Sequence, residues 1–118
     1  MKTTKIKIWT YRTAPFRLGG THEAIIATVT AEESFEVNGY TLHVVKSPRT
    51  GHYHVAEGQT GALIGYGRDK GRAIAQVVAD IAQAAPGVID SQIIEAKKIV
   101  KGAKLIKPTD FWHALRLA

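Results

Sequence analysis

The chain predicts an α+β fold: an antiparallel sheet of four or five strands, a meander with an Asn-Gly hairpin, and two or three helices packed on one face. Three observations predict it. Residues 4 to 12 alternate between two faces with the period of a strand, an Asn38-Gly39 step interrupts SFEVNGYTLHVV, and the hydrophobic period changes from two to 3.6 near residue 70. At 118 residues the chain has the length of one domain, residues 1 to 118, able to build a core without metal or disulfide.

In the first strand Ile6 and Ile8 share one face, while Lys5, Lys7, Trp9 and Tyr11 share the other. Pro15 and the Gly19-Gly20 pair mark a connection, and AIIATVT (24 to 30) is β-branched enough to read as a second strand. Asn38 and Gly39 supply the two positive-φ positions of a type I′ turn. Pairing Val37 with Tyr40 and Phe35 with Leu42 then puts Phe35, Val37, Tyr40, Leu42 and Val44 on one face, leaving Glu36, Thr41 and His43 on the other. SPRTG (47 to 51) turns the chain, YHVAE (53 to 57) pairs back, and ALIGYG (62 to 67) is a further strand.

Beyond that point Ile74, Val77, Val78, Ile81 and Ala85 recur at helical spacing, with Arg72, Gln76, Asp80 and Gln83 on the opposite side. This predicts an amphipathic helix from about residue 70, capped by Asp69 and stopped by Pro86-Gly87. A second helix from about Asp90 to Gly102 buries Ile93, Ala96, Val100 and Ala103, with Lys97, Lys98, Lys101 and Lys104 on the adjoining arc. PTDFWHALRLA closes the chain as a short helix anchored by Phe111, Leu115 and Trp112. The expected core is Phe35, Val37, Leu42, Val44, Val55, Ile74, Val77, Val78 and Ile81.

The formal charge is +6, unevenly placed. Residues 1 to 20 carry five basic and no acidic groups, residues 21 to 60 two and five, and residues 61 to 118 nine and five. Such a field favours anionic partners, and a basic strand interleaved with Trp9 and Tyr11 would stack bases while contacting phosphates; buried, the same aromatics are simply core. The chain has no cysteine, which excludes thiolate catalysis and cysteine-held zinc. Its amino terminus lacks the apolar run of a signal peptide and no segment is long enough to span a membrane, so a cytoplasmic setting without membrane contact is expected.

The most suggestive stretch is TGALIGYGRDKGRA, residues 60 to 73. Thr60, Gly61, Gly65 and Gly67 satisfy TGxxxGxG and so resemble the cofactor fingerprint of short-chain dehydrogenases, which would imply a dinucleotide on a helix N-terminus. That family carries the motif after its first strand and a Tyr-x-x-x-Lys pair downstream. Here an antiparallel meander precedes the motif and no such pair follows. A P-loop is excluded because Gly-Lys-Ser/Thr is absent. Gly65, Gly67, Lys70 and Ala73 also resemble the Gly-x-Gly-x-Ser-Lys-Lys-x-Ala-Lys segment of double-stranded-RNA-binding domains, over roughly residues 40 to 85. The resemblance implies phosphate contacts from Lys70, with Arg68 and Arg72 beside it; Asp69, Gly71 and Ile74 depart from the pattern. The bland alternative is a tight strand-to-helix turn capped by Asp69.

In size and style the chain resembles small phage and mobile-element accessory proteins, anti-CRISPR inhibitors among them. That resemblance implies a viral or mobile-element protein acting on a nucleoprotein machine. Of the five histidines, His43, His52 and His54 cluster, and one register sets His43 opposite His54 on the non-core face. A metal there would need Glu36 or Glu57 as a third ligand, and an RNA-cleaving pair would use the imidazoles as acid and base near Lys46. No Ser-His-Asp elbow and no paired carboxylates are present. The expectation is therefore a non-catalytic binding protein with no cofactor and no metal. Its partner is a protein or nucleoprotein complex met through Lys5, Lys7, Arg68, Lys70, Arg72, Lys97, Lys98, Lys101 and Lys104, or DNA or RNA bound directly by the same residues.

Overall fold

The computed structural model describes residues 4 to 13 and 22 to 115, so the expected connection at Pro15 and Gly19-Gly20 lies outside the described residues. The elements are β1 (Thr4–Thr13), β2 (His22–Ala31), β3 (Glu33–Val37), β4 (Tyr40–Lys46), β5 (Tyr53–Glu57), β6 (Leu63–Gly67), α1 (Lys70–Gln83), α2 (Val88–Lys101), β7 (Lys104–Leu105) and α3 (Pro108–Ala114). The fold is α+β. Strands β3-β4-β5-β6 form the antiparallel meander, with Asn38 at φ 50° and Gly39 at φ 84° in its first turn. Val37 faces Tyr40 and Phe35 faces Leu42, the register that the two-residue turn dictates.

β1 and β2 do not extend this meander. They pair with each other, Ile8 against Ala27 and Trp9 against Ile26, and the two-residue β7 adds in parallel on the far side of β2, giving a second sheet β1-β2-β7. Two seams join the sheets. At Glu32 the chain bends from β2 straight into β3, and the Glu32 amide donates to the Val44 carbonyl at 2.8 Å. At the other seam Trp9 bridges Ala62, and its amide donates to the Gly61 carbonyl at 3.2 Å.

Because the sheets fold over each other, both faces of the meander are covered, where helices on a single face were expected. Leu42, Val44 and Val55 pack against Ala73, Val77 and Ile81 of α1. On the opposite face Val45 and Ala56 meet Ile8, Ile25, Ala27 and Val29 of the second sheet, closed off by Phe111 and Trp112 of α3. Each fully buried aliphatic or aromatic side chain contributes about 1.5–3 kcal/mol.

The helices lie where the periodicity predicts. Val100 and Ala103, expected buried in the second helix, are half-buried, and Ala103 and Lys104 fall beyond its end at Lys101. Two further differences stand out. Val78, expected in the core, is 39 % exposed, since the face of α1 that meets the sheet is the narrower Ala73–Val77–Ile81 stripe. α2 starts two residues earlier than expected, because Gly87 adopts φ 83° and turns the chain directly into the helix. Phe35, Val37 and Ile74 are half-buried at the rim of the α1 core.

Gly67 lies where β6 passes under the first turn of α1: a Cβ there would stand 2.6 Å from the Ala73 amide nitrogen. Gly67→Ala should therefore lower unfolding stability by about 1–3 kcal/mol in a urea titration. Gly71→Ala, where the nearest atom would be the Asp69 carboxylate at 3.5 Å, should leave it equal or slightly raised.

Candidate functional site

The glycine segment is a packing device. A Cβ at Gly65 would fall 2.1 Å from Val77 Cγ2, and Gly61, at φ 77°, has its missing Cβ 1.9 Å from the Lys7 carbonyl oxygen. The glycines let β6 approach α1 and let the Thr60-Gly61 turn press against β1. The first turn of α1 is already served, since Asp69 accepts from the Arg72 amide at 2.8 Å and its second oxygen pairs with Arg72 Nε at 3.2 Å. A carboxylate stands where a phosphate would sit. Lys70 Nζ reaches Glu32 at 3.6 Å and, like Lys46 Nζ, lies 5.8 Å from the Tyr53 ring centre. Arg68 alone of this trio has no ion-pair partner among the described residues. The helix that double-stranded-RNA-binding domains place ahead of their sheet has β1 and β2 in its position, so the likeness stops at the local motif.

The remaining predicted cations occupy other elements. Lys5 and Lys7 are exposed on the outer face of β1, level with Thr30 and Thr28 of β2, which are also exposed. On that same face Trp9 is half-buried at the floor of a cleft between α1 and α2, and Tyr11 is 48 % exposed. Lys97, Lys98 and Lys101 are exposed on α2 and Lys104 on β7, with Lys98 held by Glu95 at 3.2 Å. Lys104 is level with Ile25, and Lys70 reaches Glu32, just past the end of β2. The extended strand between them sets the α2–β7 lysines and the α1 turn apart by about 20 Å. The expected basic residues thus form separate groups.

The feature that sequence reasoning missed is an apolar groove of about 700 Å³ between α1 and α2. α1 lies on β5 and β6, α2 lies on β2, and the two helices do not pack along each other. The β1–β6 seam forms the floor with Trp9, Ala62 and Ile64. Val77, Ile81 and Ala84 line one wall, and Val88, Ile93 and Ile99 the other. Exposed apolar side chains rim the helices: Ile64 is 39 % exposed, Val88 41 % and Ile94 55 %. Val78 and Ile94 are exposed but do not line the groove, so neither of these apolar helix positions pointed to it in the sequence. On the floor the carboxylate of buried Glu57 accepts from the Gln59 and Thr60 amides at 2.6 and 2.9 Å and from Thr60 Oγ1 at 2.8 Å. Trp9 Nε1 is buried without a hydrogen-bond partner among the described residues.

The histidines do not converge. His43 faces Ala56, not His54 as one register had it, and its Nδ1 is 2.7 Å from Ser34 Oγ. His54 instead faces Val45 and lies in the interior, its ring 5.1 Å from that of Tyr66 and 5.7 Å from that of Trp112. His52 Nδ1 bonds the Tyr66 hydroxyl. Among the described residues no three His, Asp or Glu side chains are grouped to hold a metal. The cause lies in β5, where His54 points inward to the second sheet while its neighbour Tyr53 packs at the edge of the α1 core. His54 is buried and its Nε2 has no hydrogen-bond partner among the described residues, an environment that favours the neutral ring.

Burial, reinforced by the nearby His52, holds the His54 pKa down to about 4; burial also lowers that of His43, against an opposing pull from Glu57. The unfolded chain takes up these protons near the ordinary value of about 6.5, so the folded state is favoured in full above that pH and loses the advantage as pH falls toward 4. For His54 the loss is on the order of 2 kcal/mol. Unfolding free energies measured from pH 7 to pH 4 should fall less steeply for His54→Phe than for the parent chain, with His43 supplying part of the slope that remains. No protein-family model, no curated protein and no solved structure matches the chain, and its function is argued from this geometry.

Proposed function

We propose that this is a non-catalytic binding protein that docks a protein partner in the α1–α2 groove, with its dispersed cations steering the encounter. The observation that carries the reading is the groove itself: a cleft of about 700 Å³ with mainly apolar walls, open between two helices and continuous with exposed Ile64 and Val88. Contiguous apolar surface of this kind is costly to leave in water, and it marks binding sites more often than chance exposure. The alternative chemistry finds less support, since no three His, Asp or Glu side chains among the described residues are grouped and the α1 turn carries its own carboxylate.

The resemblance in size and style to phage and mobile-element accessory proteins gives this reading a setting. In it the partner is a protein subunit of a nucleoprotein machine in the cytoplasm, and the mode is inhibition by occupancy, as in anti-CRISPR proteins. No helix of the described residues is long and apolar enough to cross a membrane, in keeping with a partner that is not a lipid bilayer. Separate groups of cations suit long-range steering, which needs a field rather than a continuous track.

Direct binding to DNA or RNA is the second reading, favoured by Lys97, Lys101 and Lys104, which are exposed and without ion-pair partners among the described residues. Anisotropy titrations against labelled single-stranded DNA, duplex DNA and duplex RNA at low and moderate salt separate the two. Docking through the groove predicts weak binding that moderate salt abolishes and that Ile64→Glu leaves unchanged. Micromolar or tighter binding that persists at moderate salt, with a salt slope falling by about one for each of Lys97→Ala, Lys101→Ala and Lys104→Ala, would replace docking with the second reading.

A further inference from the structure

We propose that the groove receives an amphipathic helix of the partner, its apolar ridge flanked by lysine or arginine. The inference rests on the docking role above and adds the chemistry of the occupant. Two observations carry it: the gap in the helical layer and the sign of the charge at its lips.

α1 and α2 are each 14 residues long and joined by only four, yet they are not packed side by side. Helices that cover one sheet surface normally lie about 8–10 Å apart, ridge in groove. Here α1 covers the meander, α2 covers β2, and the strip above the β1–β6 seam stays open. The strip is about 20 Å long, the length of the helices beside it. A helix laid there meets apolar side chains on three sides: Ile64 and Trp9 below, Ile81 and Ala84 on one flank, Val88 and Ile99 on the other. Anchors at i, i+3, i+4 and i+7 match this arrangement.

Every charged residue that lines the groove is acidic, in a chain whose net charge is +6. Glu57 lies on the floor and is saturated by the amides and hydroxyl of its own turn. Asp80 on α1 and Glu95 on α2 stand one on each lip. Asp80 has no ion-pair partner among the described residues, and Glu95 holds Lys98 in an exposed pair that a competing cation replaces at little cost. The lips favour a positively flanked ridge and repel an acidic segment or a phosphate backbone. Steering by the outer cations and selection by the groove therefore act on different parts of the partner.

The test uses the full chain and two labelled designed peptides of about 14 residues. Both carry one helical stripe of leucines, flanked by lysine in one and by glutamate in the other. The lysine-flanked peptide should bind at least about tenfold more tightly. Asp80→Lys combined with Glu95→Lys should erase or reverse the preference, Ile64→Glu at a partly exposed position should abolish binding with the circular dichroism spectrum unchanged, and Lys97→Glu should not weaken it. Equal affinities, a preference for the glutamate peptide, or no binding of either peptide would overturn the inference. If the glutamate peptide binds and shifts the NMR signals of Ile64 and Ile93, the docking role stands and only the assigned charge falls. If neither peptide binds while nucleic acid binds tightly at moderate salt, the docking role falls with it.

Discussion

The structure depends on the β4–β5 pair being buried on both faces. Val44 faces Val55 and both point to α1, while their neighbours Val45 and Ala56 point to the second sheet, so two adjacent strands supply both cores. Burial on both faces requires the chain to leave one sheet and re-enter as the other. The bend at Glu32 does this without a loop, and the Glu32 amide keeps a ladder partner through it. The glycines at 61, 65 and 67 serve the same end, removing side chains where β1 and α1 crowd the strands.

That arrangement also creates the groove. Two sheets meeting at a seam present a wider outer surface than two short helices cover, and each helix follows its own sheet. α1 is held by Ala73, Val77 and Ile81; α2 is held by Ile93 and Ala96, with Tyr40 donating to Asp90 at 2.7 Å near its start. The four-residue connection fixes one end of the pair, but nothing draws the helices together along their length.

Electrostatics sort themselves by element. The cations nearest the glycine segment are largely engaged by Glu32 and Asp69, those of β1 and of α2–β7 face solvent, and the charged groups that line the apolar groove, Glu57, Asp80 and Glu95, are acidic. A net charge of +6 therefore does not describe any one surface. It sums regions of opposite sign, and the region best shaped to hold a partner carries the minority sign.

The amino-acid sequence by itself determined the local structure: the Asn38-Gly39 hairpin and its register, the Asp69 cap, the stop at Pro86-Gly87, and the place of Val77 and Ile81 on the buried face of α1. These follow from forces acting within a few residues, such as turn conformation, capping and side-chain period, all of which a single segment expresses. Tertiary structure alone decided that β1 and β2 form their own sheet, that His54 pairs with Val45 and is buried beneath the second sheet, and that α1 and α2 part over the seam. Strand alternation says which residues share a face but not which face is covered, and the covering depends on partners far along the chain. The same reason hid the groove: its floor comes from β1 and β6 and its walls from two helices, so no contiguous stretch of sequence contains it.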